Sequence, residues 1–246
     1  MHDAVENLVR ETKWKVVQLL RSRRFFSVQQ LLLLYKSHVL GFVEYRTPAV
    51  YHASPSVLLP LDRLQNWLLR DLGLTPEEAL VNFGLAPLNC RRDMAMLGVV
   101  FRAVLGKGPA PLRSFFKAAA DRTRPTTRSV GRHRYQLQTY RSGEHLEVLK
   151  RSLLGACDVF NELPPVVVEA SDTVQQCQAK LQALVLTAAC GEDEHWHLLL
   201  SPTRNSWKRE QLRAYGSWGG TAPPQGEQPA HCRLRPLTLN RVWPRP

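Results

Sequence analysis

The stretch from Leu31 to His52, LLLLYKSHVLGFVEYRTPAVYH, constrains the fold of this chain most. It follows Ser27 and Gln30, whose spacing predicts a capping box at the start of a helix. Apolar residues occupy nearly every face of the predicted helix, which is typical of a covered central helix or a membrane span. The polar residues 36–38 interrupt the run too early for a bilayer, which takes about 20 apolar residues. We therefore predict a buried central helix, which Thr47-Pro48 ends or kinks.

Helical periodicity and capping signals also occur in nearly all of the remaining apolar segments. The clearest start is Thr75-Pro76-Glu77-Glu78, and Gly98 inside a later helix predicts close approach of a neighbouring helix. The predicted helices are Val5–Arg23, one from Ser54 to Gly73, Thr75–Gly84, one capped by Asn89, Pro111–Ala120, one from Leu146 to Phe160, and one capped by Ser171 or Asp172. The predicted fold class is mostly α, an irregular helical bundle around residues 31–43.

Composition divides the chain into four predicted regions. Residues 1–120 form a helical domain, and residues 121–145 form a basic linker or a small hairpin near Tyr135–Tyr140. Residues 146–201 form a helical segment that packs back on the first domain. After residue 202, proline, glycine and arginine without periodicity predict a disordered tail, 202–246.

Positive charge is concentrated in two segments of this chain, whose net charge is +12. Residues 107–141 carry nine cations against the single acid Asp121, and residues 202–246 carry eight cations against two acids. Such basic tracts attract polyanions, above all nucleic acid. The alternative is a solvated linker that has no partner.

Cysteine usage and the absence of targeting signals predict an intracellular protein. The five cysteines are odd in number and form no Cys-x-x-Cys pair, so we expect reduced, buried thiols in a reducing compartment. The first ten residues lack the pattern of a signal peptide, and no segment is long enough to cross a membrane. The expected location is the cytoplasm, the nucleus or both, with no membrane partner.

The sequence contains no recognisable catalytic motif. It has no Asp-Asp pair for two-metal phosphoryl chemistry, no Walker loop, and no GxGxxG, GxSxG or HExxH pattern. The polar cluster between Cys190 and His197 lacks the second, separated pair of ligands that a structural zinc site uses. We predict no enzymatic activity for this chain alone, no catalytic residue, no metal and no cofactor.

Two polar features have a structural and a functional interpretation. His38, on the predicted central helix, is interpreted as a buried, hydrogen-bonded histidine. The sequence Arg91-Arg92-Asp93 is either a local ion-pair group or a contact to phosphate.

Four segments carry a resemblance to a known family. The stretch 31–52 is followed by LDRLQNWLLRDLG, by APLNCRRDMAMLGVVFRAVLG and, later, by LLGACDVFNELPPVVVEASDTVQQCQAKLQALV. In this order the segments resemble the region after the palm in reverse transcriptases of LINE-type (non-LTR) retrotransposons. The last one resembles the family's closing motif, in which an aromatic-Asn-x-Leu-Pro step precedes a helix. The resemblance covers residues 5–200.

The chain also departs from that family. The aromatic-Ala-Asp-Asp turn of the polymerase site is absent, as is the zinc knuckle of some relatives. Phe160 stands where tryptophan is common, and Cys177 falls near a usual phenylalanine. The resemblance implies a thumb and C-terminal segment, whose endonuclease, fingers and palm would lie before Met1.

The resemblance and the charge pattern together predict the function. We expect a nucleic-acid-binding segment that holds a primer–template duplex, RNA or DNA, without sequence preference, and that cooperates with the missing palm and fingers. The alternative is a helical protein–protein interaction module or a non-functional retroelement remnant. The candidate binding residues are cations and two tyrosines that can stack on bases: Arg91, Arg92, Lys107, Arg113, Lys117, Arg122, Arg124, Arg128, Arg132, Arg134, Tyr135 and Tyr140.

Overall fold

A computed structural model describes residues 1–117, 133–139, 149–191 and 195–202. These residues are mostly helical and contain no β-strand, which confirms the predicted fold class. The α-helices are α1 (His2–Arg21), α2 (Val28–Leu34), α3 (Gly41–Tyr45), α4 (Thr47–Val50), α5 (Pro55–Asp71), α6 (Pro76–Phe83), α7 (Leu88–Val104), α8 (Ala110–Phe115), α9 (Leu153–Glu162), α10 (Pro165–Val168) and α11 (Val174–Cys190). Short 3-10 turns cover Arg23–Phe25 and Trp196–Leu198, and a π-helical segment covers Tyr35–Leu40.

The chain divides into two compact units, with the boundary after Arg91, inside α7. The described part of the first unit is residues 1–91, and that of the second lies between residues 92 and 202. The domain bounds predicted at residues 120 and 145 fall outside the described residues, and those bounds stay a prediction.

The first unit has one apolar core, in which α1 packs along α5 and against the π-helical segment. Each helix contributes its inward face, for example Leu8 and Val16 from α1, Leu31 from α2, and Leu61 and Leu68 from α5. These side chains are almost fully buried, and each stabilises the fold by about 1.5–3 kcal/mol relative to an exposed position.

The central helix forms as predicted but is not regular. Ser27 accepts a hydrogen bond from the Gln30 amide, and the Gln30 side chain accepts one from the Ser27 amide, so the capping box is confirmed. The π-helical segment follows α2, where the Ser37 hydroxyl lies within 3.1 Å of the carbonyl oxygens of both Leu33 and Leu34. A hydroxyl that bonds back to the preceding turn competes with the regular helical hydrogen bonds, which explains the irregularity. The helix ends at Tyr45, just before Thr47.

Two predictions for this helix are wrong. Leu33 is 66% exposed, so the helix is buried on one side and not all round. His38, expected in the interior, is exposed as well. Tyr35 is the buried polar residue instead, and its hydroxyl lies 3.3 Å from Oε1 of Gln65, whose Nε2 donates to the carbonyl of Ala86 at 3.0 Å. Burial raises the pKa of the Tyr35 hydroxyl, which therefore stays protonated.

The predicted helix ends are mostly confirmed. Thr75 forms a capping box with Glu78, and α6 ends at Gly84 in the left-handed conformation, with φ 60°. Gly73, two residues after the end of α5, also has positive φ, 68°. Asn89 is not a cap, because α7 already begins at Leu88.

The second unit brings α7 against α11 at Gly98, as predicted. A Cβ atom at Gly98 would lie 2.6 Å from Nε2 of Gln178 and 3.2 Å from Cγ1 of Val174. The cap of α11 is Thr173, not Ser171 or Asp172, since the Ser171 hydroxyl donates to the Val167 carbonyl at 2.7 Å.

The thiols and the helix lengths match two further expectations. None of the described cysteines forms a disulfide; Cys90, Cys157 and Cys177 are buried, and Cys190 is half-buried. Burial raises the pKa of Cys157 to about 12 and that of Cys177 to about 11, so both stay protonated. No helix within the described ranges combines the length and the apolar character that a membrane span requires.

Candidate nucleic-acid interface

Exposed cations surround α8 in the second unit. Lys107 lies in the turn before the helix, Arg113 lies on it, and Lys117 follows it, and all three are exposed. The turn after α7 requires Gly106 with φ 71°. Between residues 94 and 117 the chain contains no aspartate or glutamate, so no acid of this segment neutralises the three cations.

Two contributors to this surface were missed by the sequence analysis. Arg102, at the end of α7, is exposed, and its Nε donates to the Lys107 carbonyl at 3.3 Å. Phe115 is exposed on α8, with its ring edge-on to Phe116 at a centroid distance of 5.4 Å. Both signals were visible in the sequence, because Arg102 ends a helix that leads into the basic tract and Phe115 lies between two cations.

The segment 133–139 joins this surface through the main chain. The Gln138 amide donates to the Lys117 carbonyl at 2.9 Å. Arg134 and Tyr135, four and three residues earlier, therefore lie on a segment that is directly bonded to the end of the α8 region. Nη2 of Arg134 donates to the Tyr135 hydroxyl at 2.7 Å, and its guanidinium carbon lies 4.7 Å from the centroid of the Tyr135 ring. The cation and the ring form one surface element.

Side chains of α9 hold this segment in place. The Leu137 amide donates to Oδ1 of Asn161 at 2.7 Å, and Nδ2 of Asn161 donates to the Leu137 carbonyl at 2.8 Å. The predicted hairpin near Tyr135–Tyr140 extends beyond the described residues. Within 133–139 the chain forms a single β-bridge residue, Leu137, and no longer strand.

His133 anchors the start of the segment. Its Nε2 lies 2.8 Å from the Phe160 carbonyl oxygen, and its ring is edge-on to the Phe160 ring at 5.0 Å. Because a carbonyl oxygen only accepts, Nε2 carries the hydrogen and donates it. Burial lowers the pKa of His133, against the Phe160 hydrogen bond and the charge of Glu169, which raise it. Glu169 also accepts a hydrogen bond from the Arg134 amide at 2.6 Å.

Arg91 and Arg92 are placed differently from the other candidates. The Arg91 guanidinium forms an ion pair with Glu44, which belongs to α3. Arg92 is buried and makes interactions of its own. Burial and, to a smaller extent, the positive charge of Arg91 lower the pKa of Lys36. The Lys36 ammonium donates to the Phe83 carbonyl. For Arg91 this placement supports the ion-pair interpretation, with a partner far along the chain.

The remaining candidate residues lie outside the described residues. They are Arg122, Arg124, Arg128, Arg132 and Tyr140. Their contribution to the interface stays a prediction.

One group of side chains within the described ranges has the spacing of metal ligands. Ligand atoms of His2, Asp3 and Glu6 lie within 4.8 Å of one another at the exposed start of α1. Exposed carboxylates beside a histidine are ordinary at a helix start, where they interact favourably with the helix dipole. Residues 192–194 of the cluster between Cys190 and His197 lie outside the described residues.

No family model, curated protein or solved structure matches this chain. The resemblance to LINE-type reverse transcriptases therefore remains a prediction from the motifs.

Proposed function

We propose that this chain is a nucleic-acid-binding helical segment derived from a LINE-type reverse transcriptase, and that it holds a primer–template duplex. The observation that carries the proposal is the exposed, acid-free set of cations Lys107, Arg113 and Lys117, next to the segment that bears Arg134. Cations aimed at phosphates bind a duplex by releasing its counterions and read no sequence. A protein that must move along every template requires binding of this kind.

The aromatic side chains give the surface a second kind of contact. Phe115 is exposed and Tyr135 is partly exposed beside the cations, and such a ring can stack on an unpaired base at the end of a duplex. Base–aromatic stacking tolerates every sequence, because each base has a π-face. The surface therefore suits the junction of a primer end and a single-stranded template.

Catalysis belongs to other segments in this proposal. The sequence lacks the paired carboxylates that position magnesium at a primer end, so the palm and fingers of a parent polymerase are the proposed partners. A primer-extension assay with the purified chain, with magnesium or manganese and all four nucleotides, should give no product. Incorporation above that of a heat-denatured sample would contradict this division of labour.

The experiment that tests the proposed interface compares two double variants of equal charge. Lys107→Gln with Arg113→Gln removes two cations of the interface, and Arg63→Gln with Arg70→Gln removes two exposed cations of α5 as the control. Duplex binding is measured by fluorescence anisotropy over a range of salt concentrations. The first variant should reduce the log–log salt slope by about 2, at roughly 0.9 per phosphate, and the control should leave it unchanged. Equal effects of both variants would contradict the proposal.

A protein–protein module is the second candidate function. Leu33 and Tyr45, both exposed on the central helical stretch of the first unit, favour it. Binding of a partner through apolar side chains would persist at high salt, whereas phosphate contacts weaken steeply. If protein partners stay bound to the immobilised chain through a wash with 1 M salt, the result would favour the protein–protein module.

A further inference from the structure

A second basic and aromatic surface lies on the first unit, on residues that the proposed function does not use. It consists of Trp14 and Arg21 on α1 and of Arg24 and Phe25 in the following 3-10 turn. We call it the Trp14–Phe25 surface. Its charge, its exposed rings and its local geometry each support the same kind of ligand.

The charge of the first unit is concentrated around this surface. Residues 12–43 contain six lysines and arginines and no aspartate or glutamate. The other residues between 1 and 106 carry seven cations against nine acids, so their net charge is negative. An acid-free run of this length in an otherwise slightly acidic region provides a local binding site for anions.

The two aromatic side chains are exposed to a degree that packing does not explain. Trp14 is 57% exposed and Phe25 is 76% exposed. The guanidinium carbon of Arg24 lies 5.8 Å from the centroid of the Phe25 ring, so a cation adjoins the exposed ring. Arg21 and Arg24 form no ion pair with any described residue and remain available for phosphate.

Helix geometry places Trp14 and Arg21 on one side of α1, and the turn with Arg24 and Phe25 follows the end of that helix. Trp14 and Arg21 are seven residues apart, close to two helical turns, so both lie on the same side of α1 about 10 Å apart along its axis. Gln18, one turn after Trp14, is exposed between them. The turn with Arg24 and Phe25 begins directly after α1, where the Phe25 amide donates to the Ser22 carbonyl at 2.9 Å.

An ion pair joins the turn to the end of α5 and neutralises an acid there. Nη1 of Arg23 lies 2.5 Å from Oδ2 of Asp71, at the end of α5. Arg23, the first residue of the turn, is therefore structural, and the carboxylate of Asp71 is already paired. Arg21 and Arg24, on either side of Arg23, keep their charge for a ligand.

We propose that the Trp14–Phe25 surface binds single-stranded RNA or DNA. Bases stack on Trp14 and Phe25, and Arg21 and Arg24 contact the phosphates of the connecting backbone. We assign a single strand because the bases inside a duplex are stacked on one another, so their faces are not accessible to an exposed ring. A membrane surface fits less well, because α1 buries its apolar face, including Leu8 and Val16, in the core.

The test uses the full chain and a twelve-nucleotide oligouridine, which forms no base pairs. Quenching of tryptophan fluorescence reports stacking, and the difference between the wild type and Trp14→Phe isolates the Trp14 signal among the six tryptophans. We expect quenching that Trp14→Phe removes, with a change in affinity of less than about threefold, since phenylalanine still stacks. Phe25→Ala should weaken binding about tenfold, as should Arg21→Gln with Arg24→Gln.

Matched variants separate this surface from general charge and from the duplex interface. Arg63→Gln with Arg70→Gln removes the same charge from α5, and Tyr45→Ala removes an exposed ring that adjoins the ion-paired Arg46. Both controls should bind oligouridine like the wild type. Duplex binding of the Phe25→Ala variant should equal that of the wild type, so that this proposal and the proposed duplex function fail independently.

Three results would overturn the proposal. The first is wild-type affinity for oligouridine in both the Phe25→Ala and the double-arginine variants, with circular dichroism spectra that match the wild type. The second is equal weakening by the α5 control, which would indicate general charge. The third is quenching of Trp14 by vesicles that contain phosphatidylserine but not by oligouridine, which would assign the surface to a membrane.

Discussion

Asn161 pairs with both main-chain polar groups of Leu137. Its Oδ1 accepts a hydrogen bond from the Leu137 amide at 2.7 Å, and its Nδ2 donates to the Leu137 carbonyl at 2.8 Å. Asn161 belongs to the Asn-x-Leu-Pro step at the end of α9, a motif that in the sequence signals only a resemblance. The structure gives this asparagine a physical role, because it holds the segment that bears Arg134 and Tyr135.

Replacement of Asn161 by alanine tests that role. Leu137 is buried, so its amide and carbonyl would lose their partners without access to water. We expect Asn161→Ala to lower the free energy of unfolding by about 1–3 kcal/mol, measured by urea denaturation. Asn66→Ala, at an exposed position of α5, is the control and should change the free energy by less than about 0.5 kcal/mol. A value for Asn161→Ala as small as that of the control would show that the segment is held by other contacts.

Leu40 and Leu33 provide a matched pair on the central helical stretch. Leu40 is 4% exposed and Leu33 is 66% exposed. Leu40→Ala should cost about 2–5 kcal/mol, because it removes a buried side chain and leaves a cavity. Leu33→Ala should cost less than about 0.5 kcal/mol. If urea denaturation shows that both variants lower the free energy of unfolding equally, Leu40 is not on the buried side of the helix.

His133 makes stability depend on pH. Burial lowers its pKa in the folded chain, so the unfolded chain, with a histidine pKa of about 6.5, binds the proton more readily. The free energy of unfolding should therefore fall as the pH drops below about 6.5 and stop falling, for this group, below the pKa of the folded state. Protonation would also add a hydrogen to Nδ1, a buried atom that has no partner among the described residues.

Thermal unfolding of two variants between pH 7.5 and pH 5 measures this effect. His133→Gln keeps a donor for the Phe160 carbonyl and should reduce the loss of stability on acidification. Asn66→Ala, which removes no titratable group, is the control and should leave the pH dependence as it is in the wild type. If His133→Gln and the wild type lose the same stability between the two pH values, His133 is not the group responsible.

The local signals in the sequence were sufficient for most helices and their ends. The capping boxes of Ser27 and Thr75 each depend on a second residue three positions later, and a glycine at a helix end signals a left-handed cap by itself. Both signals can be read directly from the sequence. Gly98 predicted a closely packed neighbouring helix, because glycine destabilises a helix interior and is expected there where another helix approaches. The sequence did not predict which side of the central helix is buried. Four consecutive leucines point to all sides of a helix, so the packing of α1 and α5 decides which of them are buried.

The candidate site was less predictable for a similar reason. Arg91 and Glu44 are far apart in sequence, so composition counted Arg91 as available charge although the fold pairs it. Likewise, nothing in the sequence indicated that the side chain of Asn161 would hold Leu137. Charge totals over long windows also concealed the acid-free run of residues 12–43, because the acids of neighbouring segments cancelled it.

The salt dependence of duplex binding tests the central claim most directly. The tail carries its own excess of cations, so the measurement compares the full chain with a version that ends at Ser201. If residues 107–141 contact about six phosphates, the truncated chain should keep a log–log slope near −5, and Arg122→Ala, Arg124→Ala and Arg128→Ala together should reduce it by about 3 for every duplex sequence. Loss of all salt-dependent binding on truncation would contradict the account, because the basic tract would then be merely solvated.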